Sequence, residues 1–174
     1  MLTASKYSPA MRALHWFVFL MVLIAVVCIE ILHIFPKGSA ARADLFALHQ
    51  TAGLCVLALM VLRPFARLCS VIPPAVSGPR ALGRAAQMTH TALYLLMMGM
   101  PVLGVLALAW AGKTIGPVGL DWRTPLRPDM LLAHLAKHWH KTGATLVYVF
   151  VGLHAAAALW HEFVLKDRLL SRML

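Results

Sequence analysis

Acidic residues are scarce in this chain of 174 residues: six Asp and Glu stand against sixteen Lys and Arg, and charged residues of both signs make up only 13%. That excludes an ordinary soluble domain, in which about a quarter of residues are charged. With 61% apolar residues and a mean hydropathy of +0.78, most of the chain belongs in lipid. A net charge of +10 invites a nucleic-acid reading, but the bases are scattered between long apolar runs and form no stripe or tail, so nucleic acid is not an expected partner. Cysteine is scarce as well. Three residues, an odd number with no C-x-x-C pair, exclude a disulfide scaffold, a zinc ribbon and a covalently attached c-type haem; Cys28, Cys55 and Cys69 need no redox role. No phosphate loop, nucleophile motif or acid-base triad is visible, and neither is an internal repeat, a low-complexity tract or a second domain. What the chain does have is nine histidines.

About 20 apolar residues are needed to cross roughly 30 Å of hydrocarbon. Four stretches qualify, at about 13–34, 45–63, 86–111 and 134–165, which predicts an all-α, integral membrane four-helix bundle forming a single domain over 1–174. The first stretch resembles the start of a signal peptide. Its apolar core runs into Cys28-Ile29-Glu30 without a small-residue cleavage site, so it reads as a retained helix. Pro73-Pro74 and Gly78-Pro79 break the chain between the second and third spans. Gly116-Pro117, Pro125 and Pro128 make 112–133 a longer polar connection with room for a short interfacial helix. Four spans put both termini and the middle loop on one side. That side carries nine bases against Glu162 and Asp167; the other carries seven bases against Glu30, Asp44, Asp121 and Asp129. Lys and Arg are retained in the cytoplasm, so both termini are expected there. Trp16 and Trp160 then fall near the inner ends and Trp110 and Trp139 near the outer ends, as an interfacial belt requires.

Ionisable residues inside spans are costly and point to function, and here nearly all of them are histidine. On the fourth span His140 and His154 are 14 residues apart, a rise of ~21 Å and a rotation about 40° short of four turns. Both therefore leave one face at opposite depths, and His138 falls nearly opposite His154. His15 lies a turn into the first span, level with His154; His49 lies a turn into the second, level with His140. Two cross-helix pairs follow. Two neutral imidazoles facing each other from different helices in an apolar cavity are what six-coordinate haem b needs. Zinc is the competing reading, but it takes three or four protein ligands close together, and two at each of two depths fit haem better. Small residues agree, because a flat macrocycle must lie against the helix beside its ligand. Gly53 follows His49 by four positions, Gly143 follows His140 by three, and Gly152 with Ala155-Ala156-Ala157-Ala158 surrounds His154. Close helix packing also uses small residues, and for any one glycine the two readings stand level.

His90, at the inner start of the third span, is placed to bond a haem propionate. His161, about two turns beyond His154 on nearly the same face, is placed where a quinone head group meets the inner haem. His33 reads as interfacial, and His134 and His138 as an i, i+4 pair near the outer surface, solvated or near haem propionates, with metal ligation the alternative. Met97, Met98 and Met100 read as packing residues, and Pro101, with Gly99 and Gly104 nearby, as a bend.

Together, several segments resemble the bacterial cytochrome b561 family, four-helix diheme membrane proteins related to the cytochrome b subunits of hydrogenase and formate dehydrogenase. They are Tyr7-Ser8 with Leu14-His15-Trp16, His49 with Gly53 and Arg63, and His90 with Tyr94 and Pro101-Val102-Leu103-Gly104. The most specific is Gly152-Leu153-His154-Ala155 through Trp160-His161, and the tail from Lys166-Asp167 to Arg172-Met173 is similar too, so the likeness covers nearly the whole chain. The resemblance implies two haem b with His15, His49, His140 and His154 as axial ligands, and it implies a bacterial inner membrane location. It puts His90 and His161 in the propionate and quinone surroundings, with Arg67 the more remote, while Gly53 and Gly143 belong to the haem surroundings by their spacing from His49 and His140. The crowded stretch from Ala133-His134 to Trp139-His140 departs from the family pattern and leaves His138 and His140 as rival ligands of the outer iron, with helical phase favouring His140. One family branch oxidises superoxide at the periplasmic face and passes the electron through both haems to ubiquinone. A superoxide:ubiquinone oxidoreductase is therefore the expected activity, and Lys113, Arg123, Arg127, Lys137 and Lys141 would attract such a small anion. The alternative is a membrane anchor subunit fed by a soluble partner dehydrogenase docked on 112–133. A haem-free transporter or scaffold leaves the level histidines unexplained.

Overall fold

The computed structural model describes residues 6–74, 79–116, 120 and 122–174; Gly78, Pro117 and Asp121 lie outside the described residues. Four long helices follow one another: α1 (Pro9–Ile31, prolonged by a 3-10 turn at Leu32–Ile34), α2 (Ala40–Leu68), α3 (Arg80–Trp110) and α4 (Met130–Trp160). Each is long and apolar enough to cross a membrane. Most of their ends run past the expected spans, because helical hydrogen bonding does not stop where the apolar core stops: α2 continues through Arg63-Pro64 and α3 begins at Arg80.

Polar side chains set three of the starts. The Ser8 hydroxyl accepts from Met11 N at 3.3 Å, the Ser39 hydroxyl from Arg42 N at 3.3 Å, and the Asp129 carboxylate from Leu132 N at 3.1 Å, each satisfying a backbone donor that the first turn leaves free. Pro9 stands in the first turn of α1, where its missing N–H removes no helical bond. The connection after α3 corrects the expectation of an interfacial helix. Among its described residues there is none; Ile115 and Trp122 instead exchange two antiparallel backbone bonds of 2.8 and 2.9 Å, and Asp129 N donates to Trp110 O at 2.9 Å. Gly112, at φ +67°, turns the chain away from α3, and Pro125 and Pro128 lack the donors that a helix would need there.

α1 packs along α2 and α3 along α4, with α2 touching α3, while α1 and α4 do not pack closely. Val18, Val56, Met60, Met97 and Val147 form a small core drawn from all four helices. In lipid, apolar surface gains little from burial, so van der Waals packing and polar contacts must hold the helices together. Leu95 and Phe163, each 70% exposed, are consistent with that solvent. One polar tie crosses the open seam: Tyr148 Oη donates to Glu30 Oε1 at 2.7 Å.

The first and last described residues lie at one end of the bundle, here the terminal end, opposite the distal end. After Trp160, α4 widens into one π turn, His161–Leu165, and stops at Lys166 in the left-handed region, φ 57°. The last residues then fold back. Met173 O accepts from Trp16 Nε1 at 2.8 Å, Arg172 O accepts from Tyr7 N at 3.1 Å, and Arg172 donates to Pro74 O at 2.7 Å. Arg12 donates to Leu174 O.

Candidate functional site

Histidines from separate helices meet at two depths. His15 of α1 and His154 of α4 have ring centres 6.1 Å apart, and so do His49 of α2 and His140 of α4. These are the juxtapositions that helical rise and phase predict. His138 is exposed, lies edge-on to Trp139 at 5.6 Å and joins neither pair. The spacing is informative. Two metal–imidazole bonds of about 2 Å, with ~1 Å from each coordinating nitrogen to its ring centre, give about 6 Å, so one metal atom fits between each pair. Among the described residues no group of three or more His, Cys, Asp or Glu is arranged to hold a metal ion. Those residues therefore offer zinc no set of three or four protein ligands, whereas haem iron would need only the two that each pair offers.

At the distal pair, His49 Nδ1 donates to Ala25 O at 2.8 Å and His140 Nδ1 donates to Met100 O at 2.8 Å. A carbonyl can only accept, so both protons sit on Nδ1 and both Nε2 atoms keep a free lone pair for a metal. Gly104 makes room for the second bond: a Cβ there would stand 3.2 Å from His140 Cε1 and 3.4 Å from Nδ1. Sequence reading passes over this residue as a neighbour of Pro101; the available signal is a glycine one turn beyond the carbonyl that the histidine uses. At Gly143 the space is taken by the Met100 thioether, so close packing of α3 on α4 is the role its geometry displays. Gly53 has nothing within 4 Å of its Cβ position. It lines a cavity of about 680 Å³ together with His49, Gly104 and His140, a size within the roughly 300–1,000 Å³ of cofactor sites. Lys113, His134, Lys137 and Lys141 also border that cavity, and Arg42 does so with its guanidinium committed to Leu32 O and Phe35 O at 2.6 and 3.1 Å.

The terminal pair has different neighbours. His90 of α3 lies 5.4 Å from His154, ring centre to ring centre, which is shorter than a shared metal requires, so His15 is the better partner. Arg63 of α2 donates from Nη2 to His15 Nδ1 at 3.4 Å, so that this nitrogen accepts where those of the distal rings donate, and its guanidinium carbon lies 5.5 Å from the centre of the Tyr94 ring. Its Nε is buried with no partner. Sequence reading uses Arg63 as a charge of the inner side and as part of the segment with His49 and Gly53, and gives it no contact, because the order of residues along α2 does not show which ring it faces. His161 Nδ1 lies 2.5 Å from Asp167 Oδ2. The carboxylate is itself held, since Leu169 N donates to Oδ1 at 3.2 Å and Asp167 N donates to His161 O at 3.2 Å. Lys166 and Arg168 flank it at φ 57° and 58°, a conformation that costs a non-glycine residue about 1 kcal/mol or more. Arg67 is exposed in the last turn of α2, and no described bond joins it to His161. His33 donates to Glu30 O in its own helix at 2.6 Å.

Residues 6–174 match the family model described as prokaryotic cytochrome b561. The chain is 32% identical to cytochrome b561 homolog 1 of Escherichia coli (strain K12), an alignment covering 98% of this chain and 97% of that protein. It is 33% identical to a probable superoxide oxidase, CybB, of Yersinia pestis, over 97% of this chain and 96% of that protein. A cytochrome b562 of Cereibacter sphaeroides is 33% identical over 73% of this chain and 66% of its own length.

Proposed function

The chain belongs to the prokaryotic cytochrome b561 family of membrane electron-transfer proteins, and from that premise we propose that it passes electrons from a donor at its distal end, superoxide in the favoured case, through two haem b to ubiquinone at its terminal end. The observation that carries the proposal is the same 6.1 Å spacing in two imidazole pairs, set apart by ~21 Å of α4. His15 with His154, and His49 with His140, would hold the two groups, whose one-electron redox change is the chemistry they supply when bound.

The remaining work falls to the chain itself. Ala25 O and Met100 O orient the distal imidazoles. Gly53 and Gly104 line the cavity beside them, Gly143 lets α3 close on α4, and His90 is the polar neighbour of the terminal pair. Lys113, Lys137 and Lys141 border the distal cavity with positive charge, which raises the local concentration of a small anion, and one relative bears the name probable superoxide oxidase. At the terminal end His161, its Nδ1 on Asp167, presents Nε2 for proton exchange with a quinone, and Arg67 is the more remote candidate there. The overall change balances: two superoxide ions give up one electron each and leave as oxygen, and the quinone takes two electrons and two protons to become quinol. The excess of bases at the terminal end favours placing it in the cytoplasm, across a bacterial inner membrane.

Purified protein is expected to be red, with a reduced spectrum of bis-histidine haem b and two haems per chain; a colourless preparation rejects the proposal. Superoxide added to the oxidised protein is expected to reduce the haems with no other protein present. Inertness to superoxide, with reduction by a soluble dehydrogenase, would move the assignment to a membrane anchor subunit. His161→Ala is expected to impair quinone reduction while haem content stays intact.

A further inference from the structure

The distal cavity is apolar at one edge and basic at the other. From the level of His49 and His140 toward the membrane centre its wall is Gly53, Leu54 and Pro101. On the distal side stand Ser39 and Arg42 of α2, Lys113 after α3, and His134 and Lys137 of α4. Lys137 precedes His140 by ~4.5 Å of helical rise and His134 by ~9 Å. Lys141 follows His140, but side chains lean toward the start of their helix, and α4 starts at the distal end, so this amine belongs to the same edge. Arg42 donates to Leu32 O and Phe35 O at 2.6 and 3.1 Å, which ties the joint between α1 and α2. The three lysines are exposed, and their long stems let the ammonium groups reach the opening. Haem b is two-sided in the same way: an apolar macrocycle with two carboxylates on one edge. A carboxylate turned toward Gly53 and Leu54 would be buried at membrane depth without a partner, which is costly. Turned toward the lysines, it gains charge-assisted hydrogen bonds.

We propose that Lys113, Lys137 and Lys141 bind the two carboxylates of the distal haem and so fix which edge of the macrocycle faces the distal surface. Two carboxylates cancel two of the three lysine charges. The pull on an anionic donor is then left to the third lysine and to Arg123 and Arg127, which are exposed on the connection after α3 and do not line the cavity. This assignment rests on the two-haem reading above.

Haem transfer from the loaded protein to apomyoglobin in detergent tests this, with the distal haem identified by its absence from His49→Ala. The double variant Lys137→Gln with Lys141→Gln is expected to release the distal haem roughly tenfold faster, the worth of one charge-assisted hydrogen bond, while the terminal haem stays. Redox-difference infrared spectra with isotope-labelled haem carboxyls are expected to show the carboxylate bands shifted in the same variant. Arg123→Gln with Arg127→Gln is expected to change neither release nor bands. Unchanged release and unmoved bands in the lysine variant overturn the proposal; slower reduction by superoxide in that case would leave the lysines as attractors of the donor alone. Equal haem loss from the arginine variant overturns it too. Should the glutamine pair shed both haems, the bands of Lys137→Arg with Lys141→Arg decide: they are expected to move, because a guanidinium bonds a carboxylate differently from an ammonium, and unmoved bands overturn the proposal. Fewer than two haems per chain in the unaltered protein overturns the two-haem reading instead, and this inference with it.

Discussion

Replacing Gly104 with valine probes the support of the distal site. An ideal Cβ at 104 stands 3.2 Å from His140 Cε1 and 3.4 Å from Nδ1, against ordinary carbon contacts of about 3.5–4.0 Å. Alanine therefore displaces the ring by a few tenths of an ångström, and valine adds two further methyls with a stiff χ1. The ring cannot retreat without stretching its 2.8 Å bond to Met100 O. Two independent routes give the size of the effect. Overpacking a closed contact costs about 1–3 kcal/mol. Disturbing the outer-shell acceptor of a metal-binding histidine costs roughly 10–100-fold in affinity, about 1.4–2.7 kcal/mol. Gly104→Val is thus expected to hold the terminal haem and to lose the distal one on dilution, with Gly104→Ala in between. The measurements are the haem-to-protein ratio in detergent before and after dilution, and the reduced-minus-oxidised spectrum. If Gly104→Val retains both haems with an unshifted spectrum, His140 is not held against Gly104, and the distal assignment fails.

Gly53→Leu fills the cavity beside His49 and is expected to remove the distal haem. The cofactor-free helix should melt no lower, because glycine inside a helix costs about 0.5–1 kcal/mol; a lower melting temperature would show instead that Gly53 packs helices. Tyr148→Phe removes the bond that ties α1 to α4 and should cost about 0.6 kcal/mol, the average for an interhelical bond in lipid; circular-dichroism melting reads this, and a changed haem spectrum would contradict a purely mechanical role. Asp167→Asn is expected to leave two haems in place and to slow oxidation of the reduced protein by a short-chain ubiquinone; an unchanged rate would remove the His161–Asp167 pair from the proton path.

The four spans were legible because length and apolarity are one-dimensional quantities: a run of apolar residues announces its helix wherever it lies. The levels of His15, His49, His140 and His154 were legible for a related reason, since rise and rotation per residue are fixed by the backbone, and counting from each span's edge gives depth and phase. The connection after α3 was not legible, because the bridge between Ile115 and Trp122 joins residues seven positions apart, which no local periodicity records.

The sequence by itself determined that this is a four-helix membrane protein with imidazoles at two depths, because those features follow from hydropathy and helical geometry within single elements. Only the tertiary structure decided what stands behind each ring: the carbonyls of Ala25 and Met100, the space above Gly104 and the guanidinium of Arg63. Those contacts join residues tens of positions apart, and their identity depends on how one helix is rotated against the next, a degree of freedom that is set by packing and left open by the order of residues along any one helix.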